Sequence, residues 1–155
     1  MAKARIFLVV VDESEEMRVA LRFACRRARA TGGRVALLGV IEPGDPQPFR
    51  NVEELLRAEK RAEAENLMQT LSAQVADLSG QMPVVHIREG GRVDQVLKLI
   101  AEEPDISILV LAAGAGSEGP GPLINQLVGK MAGRLRVPIT IVPGGLDDDA
   151  IDALA

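Results

Sequence analysis

Ile6-Phe-Leu-Val-Val-Val11 is an uninterrupted, β-rich apolar run, and Ile106-Ser-Ile-Leu-Val-Leu111 repeats the pattern a hundred residues on. A run of this length, with no alternation, marks a strand buried on both faces. Such strands need helices on either side of their sheet, and the intervening sequence supplies the patterns. Ser14 reads as an N-cap, with Glu15 and Glu16 near the positive end of a helix dipole. Met17, Ala20, Leu21, Ala24 and Ala28 then fall on one face, and Gly32-Gly33 marks the stop. Val35 to Ile41 reads as a second strand, closed by Glu42-Pro-Gly-Asp-Pro46.

A long helical pattern follows from about Val52 to Leu78, with Leu55, Leu56, Ala62, Leu67, Met68, Leu71, Val75 and Leu78 on one stripe. At 1.5 Å per residue it would span about 40 Å, roughly twice the length of a six-residue strand. It therefore either overhangs the sheet or breaks near the charged run Arg57 to Glu65, a run that reads as a solvated face with i,i+4 pairs. Gly80 ends it. Val84 to Arg88 is a short strand whose alternation puts His86 and Arg88 on one face, as suits a sheet edge. Gly90-Gly91 opens a helix with Val93, Val96, Leu97, Leu99 and Ile100 that ends at Pro104.

After Leu111 comes Ala112-Ala-Gly-Ala-Gly-Ser-Glu-Gly-Pro-Gly-Pro122, then a helical stripe of Leu123, Leu127, Val128, Met131 and Leu135, then the strand Ile139 to Val142. Five β-α alternations in one domain imply an α/β fold, a parallel sheet with helices on both faces. The domain is expected over residues 1–146, with 147–155 as a short acidic tail.

The net charge of −4, the lack of a basic stripe and the presence of only three aromatics exclude a nucleic-acid partner. No apolar run approaches a membrane span, and the first run is too short for a signal peptide, so the expected location is the cytoplasm. Cys25, the single cysteine, reads as core packing; one cysteine and one histidine cannot build a metal site.

Three blocks in order resemble the universal stress protein family: Val9-Val-Val-Asp12-Glu-Ser14-Glu15 running into Ala20-Leu21-x-x-Ala24; Leu37-Leu38-Gly39-Val40; and the strand, glycine loop and helix before Val137-Pro-Ile-Thr-Ile-Val142. The resemblance covers Arg5 to about Gly145. It implies an open five-stranded sheet ordered 3-2-1-4-5, of adenine nucleotide alpha hydrolase-like type. It also implies a homodimer through the last strand, with Ile139 and Ile141 at the edge. Many members bind ATP or ADP, with Mg2+ only where ATP is bound. That role would place adenosine on Asp12 and Val40.

The family's phosphates rest on a G-x2-G-x9-G-S/T pattern, from which this chain departs. Its first two glycines fall at Ala112 and Ala115, and its Gly-Ser pair at Asn125-Gln126, with Gly129-Lys130 as the other candidate. A branch of the family has loops with a Glu-Gly-Pro-Gly-Pro core like the one here. The replacement candidates for phosphate are Gly114, Gly116, Ser117, Gly119 and Lys130.

Gly114-x-Gly116-x-x-Gly119 also spells a dinucleotide fingerprint. Pro120 and Pro122 keep its last glycine outside the helix, and no acid lies about twenty residues on to hold a ribose. Small loop residues still let backbone N–H groups approach an anion. Against this, residues 112–129 contain no lysine or arginine, Glu118 adds negative charge, and two prolines remove donors. The other reading is a rigid turn that only reverses the chain. Asp12 likewise reads either as a ligand residue at the switch point or as a helix-start cap. No catalytic residue is assigned, and at most a weak ATPase is expected. The alternative to a nucleotide-binding module is a nucleotide-free dimeric interaction protein of the same family.

Overall fold

The computed structural model describes residues 4–116 and 119–155. Five parallel strands, β1 (Ile6–Val11), β2 (Arg34–Ile41), β3 (Val84–Glu89), β4 (Ile106–Ala113) and β5 (Ile139–Pro143), form one sheet in the order β3-β2-β1-β4-β5. Five helices connect or follow them: α1 (Glu16–Thr31), α2 (Arg50–Ser79), α3 (Arg92–Glu102), α4 (Pro122–Val128) and α5 (Asp148–Leu154). The order expected from the resemblance is the order found.

Alternate strand residues divide the core into two layers, as strand geometry requires. Phe7, Val9 and Val11 face α1 and α2, where Val19, Ala24, Met68, Leu71 and Val75 are buried with them. Leu8 and Val10 face the opposite layer, which α3 and α4 close with Val96, Leu99, Ile100, Ile124 and Leu127. α1 stops at Gly32, which takes φ +69 and donates its N–H to Ala28 O, a left-handed C-cap that glycine adopts without a Cβ penalty. Cys25 is fully buried on α1, and desolvation pushes its thiol up to about 12. An alkylating reagent at pH 8 should therefore leave the native protein unmodified and label Cys25 only after denaturation, as mass spectrometry would show.

α2 is continuous over 30 residues and overhangs the sheet. Only its C-terminal half docks: Met68, Leu71 and Val75 are buried, whereas Val52, Leu55, Leu56 and Leu67 are exposed. The expected single stripe is thus half correct, because an eight-residue strand cannot cover a 30-residue helix. Arg50–Glu54 and Arg61–Glu65 form the i,i+4 pairs at 3.3 Å, and Arg57 reaches Glu89 at the end of β3 at 2.6 Å. β3 is an edge strand. His86 and Arg88 share a face as expected, with Arg88 paired to Glu102 of α3 at 2.7 Å. His86 is partly buried rather than exposed, and that burial lowers its pKa.

Three expectations need correction. The helix after the glycine loop is only seven residues long, because the chain breaks at Gly129, where a Cβ would come within 2.7 Å of Asn125 O. Val128 is consequently exposed, while Met131 and Leu135 still reach the core through a 3-10 turn at Ala132–Arg134. The stretch read as an acidic tail is α5, capped by the Asp147 side chain accepting from Ala150 N at 2.8 Å. Its Ile151 is fully buried against α1, and Arg22 donates twice to Asp152, at 2.8 and 2.7 Å. Three aspartates concealed one buried isoleucine. Ser14 is not the cap of α1 either: the helix starts at Glu16, and Ser14 instead turns back toward Asp12.

Candidate functional site

The strand order reverses direction between β1 and β4, and the loops at their C-terminal ends part to leave a crevice, the usual ligand position in an open α/β sheet. On the β4 side it is a cavity of about 430 Å³ lined by Asp12, Glu16, Gly114, Gly119, Pro120 and Gly121 among others. On the β2 side it widens to about 970 Å³ between Val40, Glu42, Lys60, Glu63 and Met68. Asp12, Ser14, Arg92 and Pro122 line both, so the two are halves of one opening.

Asp12 follows β1 directly. Its Oδ1 accepts from Ser14 N at 2.8 Å and Ser14 Oγ at 2.5 Å, an Asx-type turn that leads the chain into α1. Both readings of Asp12 therefore have a physical basis, since the turn occupies Oδ1 and Oδ2 has no hydrogen bond among the described residues. Val40 ends β2 half-buried on the opposite wall. Gly39 beside it has the Met68 methyl so close that a Cβ there would stand 2.6 Å from it. Asp12 and Val40 thus face one opening.

The glycine loop is less well furnished. Gly114 donates its N–H to Pro120 O at 3.1 Å, so this donor is consumed by the loop's own closure. Gly116 is exposed and stands outside the crevice lining, while Gly119, with φ +87, lies within it. Ser117 lies outside the described residues. Lys130 is exposed in the turn after α4 and does not line the crevice. Glu16 occupies the ground beside the loop: its Oε1 would lie 3.8 Å from a Cβ at Gly114, and its Cγ 2.7 Å from one at Gly144.

Two cations that stood apart in the sequence enter the crevice. Lys60 comes from α2 and Arg92 from the first turn of α3. The Nε of Arg92 is sealed from solvent without a hydrogen-bond acceptor, and its ion-pair partner Glu42 Oε1 stands at 3.8 Å. The signal for Arg92 was its position: it follows Gly90-Gly91 at the C-terminal end of a parallel strand, the edge where sites assemble. No cluster of three His, Cys, Asp or Glu among the described residues could hold a metal ion, and no described helix is long and apolar enough to cross a membrane.

The fold is shared with solved structures. Universal stress protein UspA from Lactobacillus plantarum superposes with a TM-score of 0.76 at 20% identity, over 92% of this chain and 99% of that one. A universal stress protein from Archaeoglobus fulgidus in complex with dAMP gives 0.58 at 19%, over 91% and 98%. A universal stress protein in complex with cAMP gives 0.54 at 14%, over 93% and 100%. No curated protein matches the sequence. At these identities the structures speak for the fold, but the sequence itself matches the universal stress protein family over residues 3–143, nearly its whole length, and the chain belongs to that family.

Proposed function

We propose that this protein is a cytoplasmic stress-response module that binds an adenine nucleotide in the crevice between β1 and β4 and acts through ligand-dependent interaction, not turnover. The observation that carries the reading is the convergence of Asp12 and Val40 on one opening that Arg92 also lines. A carboxylate offers acceptors to the ribose hydroxyls and the amino group of adenosine, and the apolar wall of Val40, Leu67 and Met68 suits a purine face. The complexes with dAMP and cAMP among proteins of the same fold support the ligand class. ATP or ADP are the ligands the family resemblance implies, with Mg2+ entering only on the phosphates of ATP. Calorimetry with adenosine, AMP, ADP and ATP tests it: a measurable heat of binding is expected, and silence from all four at millimolar ligand would remove the nucleotide.

The consumed N–H of Gly114 favours a second reading, in which the protein is a nucleotide-free dimeric interaction module. In either case we place the dimer interface on β5. Its outer edge has no neighbouring strand among the described residues, Ile139 is half-buried and Ile141 is exposed. An open apolar edge invites pairing with a second copy. Light scattering should report a dimer at micromolar concentration, and Ile141→Lys should shift it to monomer, because the lysine charge would be desolvated at the interface.

A further inference from the structure

Arg92 stands where three clefts meet. Besides both halves of the crevice it lines a third cavity of about 310 Å³ between α3 and α4, with Gly91, Leu123 and Gln126. A buried guanidinium N–H without an acceptor is unfavourable, and a carboxylate at 3.8 Å is beyond hydrogen-bond reach. Nε itself is closed to a ligand, but the side chain is one-third exposed and its terminal nitrogens make no hydrogen bond among the described residues, so they are open to an acceptor that enters the crevice.

The opposite wall offers a phosphate no cation among the described residues and fewer donors than its glycines suggest. Gly114 has spent its N–H on Pro120 O, Pro120 and Pro122 have none, and α4 is a seven-residue helix. Glu16 holds a carboxylate beside Gly114, on the ground where the family's phosphates would lie. Around the opening, Asp12, Glu13, Glu16, Glu42 and Glu63 outnumber the cations Lys60 and Arg92. Each phosphate added to a nucleotide brings further negative charge against that surplus, while the crevice provides one arginine fork to receive it.

We infer that Arg92 is the phosphate anchor of this crevice, and that it selects an adenine nucleotide with a single phosphate over longer polyphosphates. This rests on the adenine-nucleotide reading above. It moves the phosphate from the glycine loop to the start of α3, where the guanidinium supplies a positive charge that the loop lacks among the described residues.

Calorimetry on the full chain tests it, with adenosine, AMP, ADP and ATP titrated in the presence of EDTA, and ATP again with Mg2+. AMP should bind about tenfold to a hundredfold tighter than adenosine, the range of a charge-assisted hydrogen bond, and tighter than ATP under every condition. Arg92→Gln should bring AMP down to the affinity of adenosine, and Arg92→Lys should fall between, since it keeps the charge and loses the fork. Unchanged melting curves would confirm that both variants fold, as expected for a side chain one-third exposed. If adenosine binds but AMP binds no tighter, or if Arg92→Gln binds AMP like the parent, the anchor is overturned and the adenine reading stands. ATP binding tighter than AMP overturns the selectivity. Binding of none of the four overturns both proposals.

Discussion

Ile151→Ala should destabilise the protein by about 3 kcal/mol, or roughly 6–12 °C in Tm. The expectation follows from placement. Ile151 is fully buried in the core layer on the α1 side of the sheet, where α5 packs on α1, and truncation there leaves a cavity that a rigid two-helix contact cannot close. Leu154→Ala, on the same helix, is the control: Leu154 is 67% exposed, so its loss should stay within about 0.5 kcal/mol. Equal, near-zero effects in urea unfolding would return residues 147–155 to the status of a solvated tail.

The charges around Ile151 add a pH dependence with a definite sign. The hydrogen bonds from Arg22 hold the Asp152 carboxyl below its ordinary value. A carboxylate whose folded pKa is depressed contributes stability that is present above the unfolded value, about 3.9 for aspartate, and that is lost as pH falls through the folded value. Stability should therefore decline below about pH 4, and Asp152→Asn should flatten that part of the curve while lowering stability at pH 7. Matching acid limbs for variant and parent would show that the pair contributes nothing measurable.

α5 also shows where the sequence stopped being legible. Strands β1 and β4 announced themselves because both of their faces are buried, and the order of the sheet came with the family resemblance. A seven-residue helix with one buried side chain has no periodicity to detect, and its three leading aspartates look like solvent-facing charge. The same limit applies to α4. Its stripe from Leu123 to Leu135 does reach the core, but through a break at Gly129 that a stripe cannot reveal.

The site was legible on one side. Asp12 and Val40 could be placed from motif and strand ends, because a parallel sheet delivers the C-terminal ends of its strands to one edge. Arg92 shares that edge but carried no motif, and since β3 lies two strands from β1, only the folded position of α3 brings its first residue over the crevice. Glu16 reads in sequence as favourable helix-dipole charge. In the structure it also fills space beside Gly114 and Gly144, and at Gly144 a Cβ would collide with the Ala113 backbone and the Glu16 side chain. Spacing describes neighbours along a chain, and this loop is furnished by residues a hundred positions away.

Asp12→Ala should weaken adenosine or AMP binding by about tenfold to a hundredfold, the loss expected when a charged acceptor is removed from a ligand's hydroxyl donors. The turn complicates the experiment, because the same carboxylate accepts from Ser14 N and Ser14 Oγ. Alanine should therefore also cost about 1 kcal/mol of stability, as loss of a local side-chain cap does. Asp12→Asn separates the two roles. An asparagine oxygen can still accept from Ser14 N, so the melting curve should stay near that of the parent, while the neutral amide binds the ligand less well than a carboxylate. The informative pattern is a variant that unfolds like the parent and binds about tenfold more weakly. If both variants bind nucleotide as the parent does, Asp12 serves only the turn. The second oxygen decides between these outcomes: Oδ1 is committed to Ser14, and Oδ2 has no hydrogen bond among the described residues, while Asp12 lines the same opening as Val40 and Arg92.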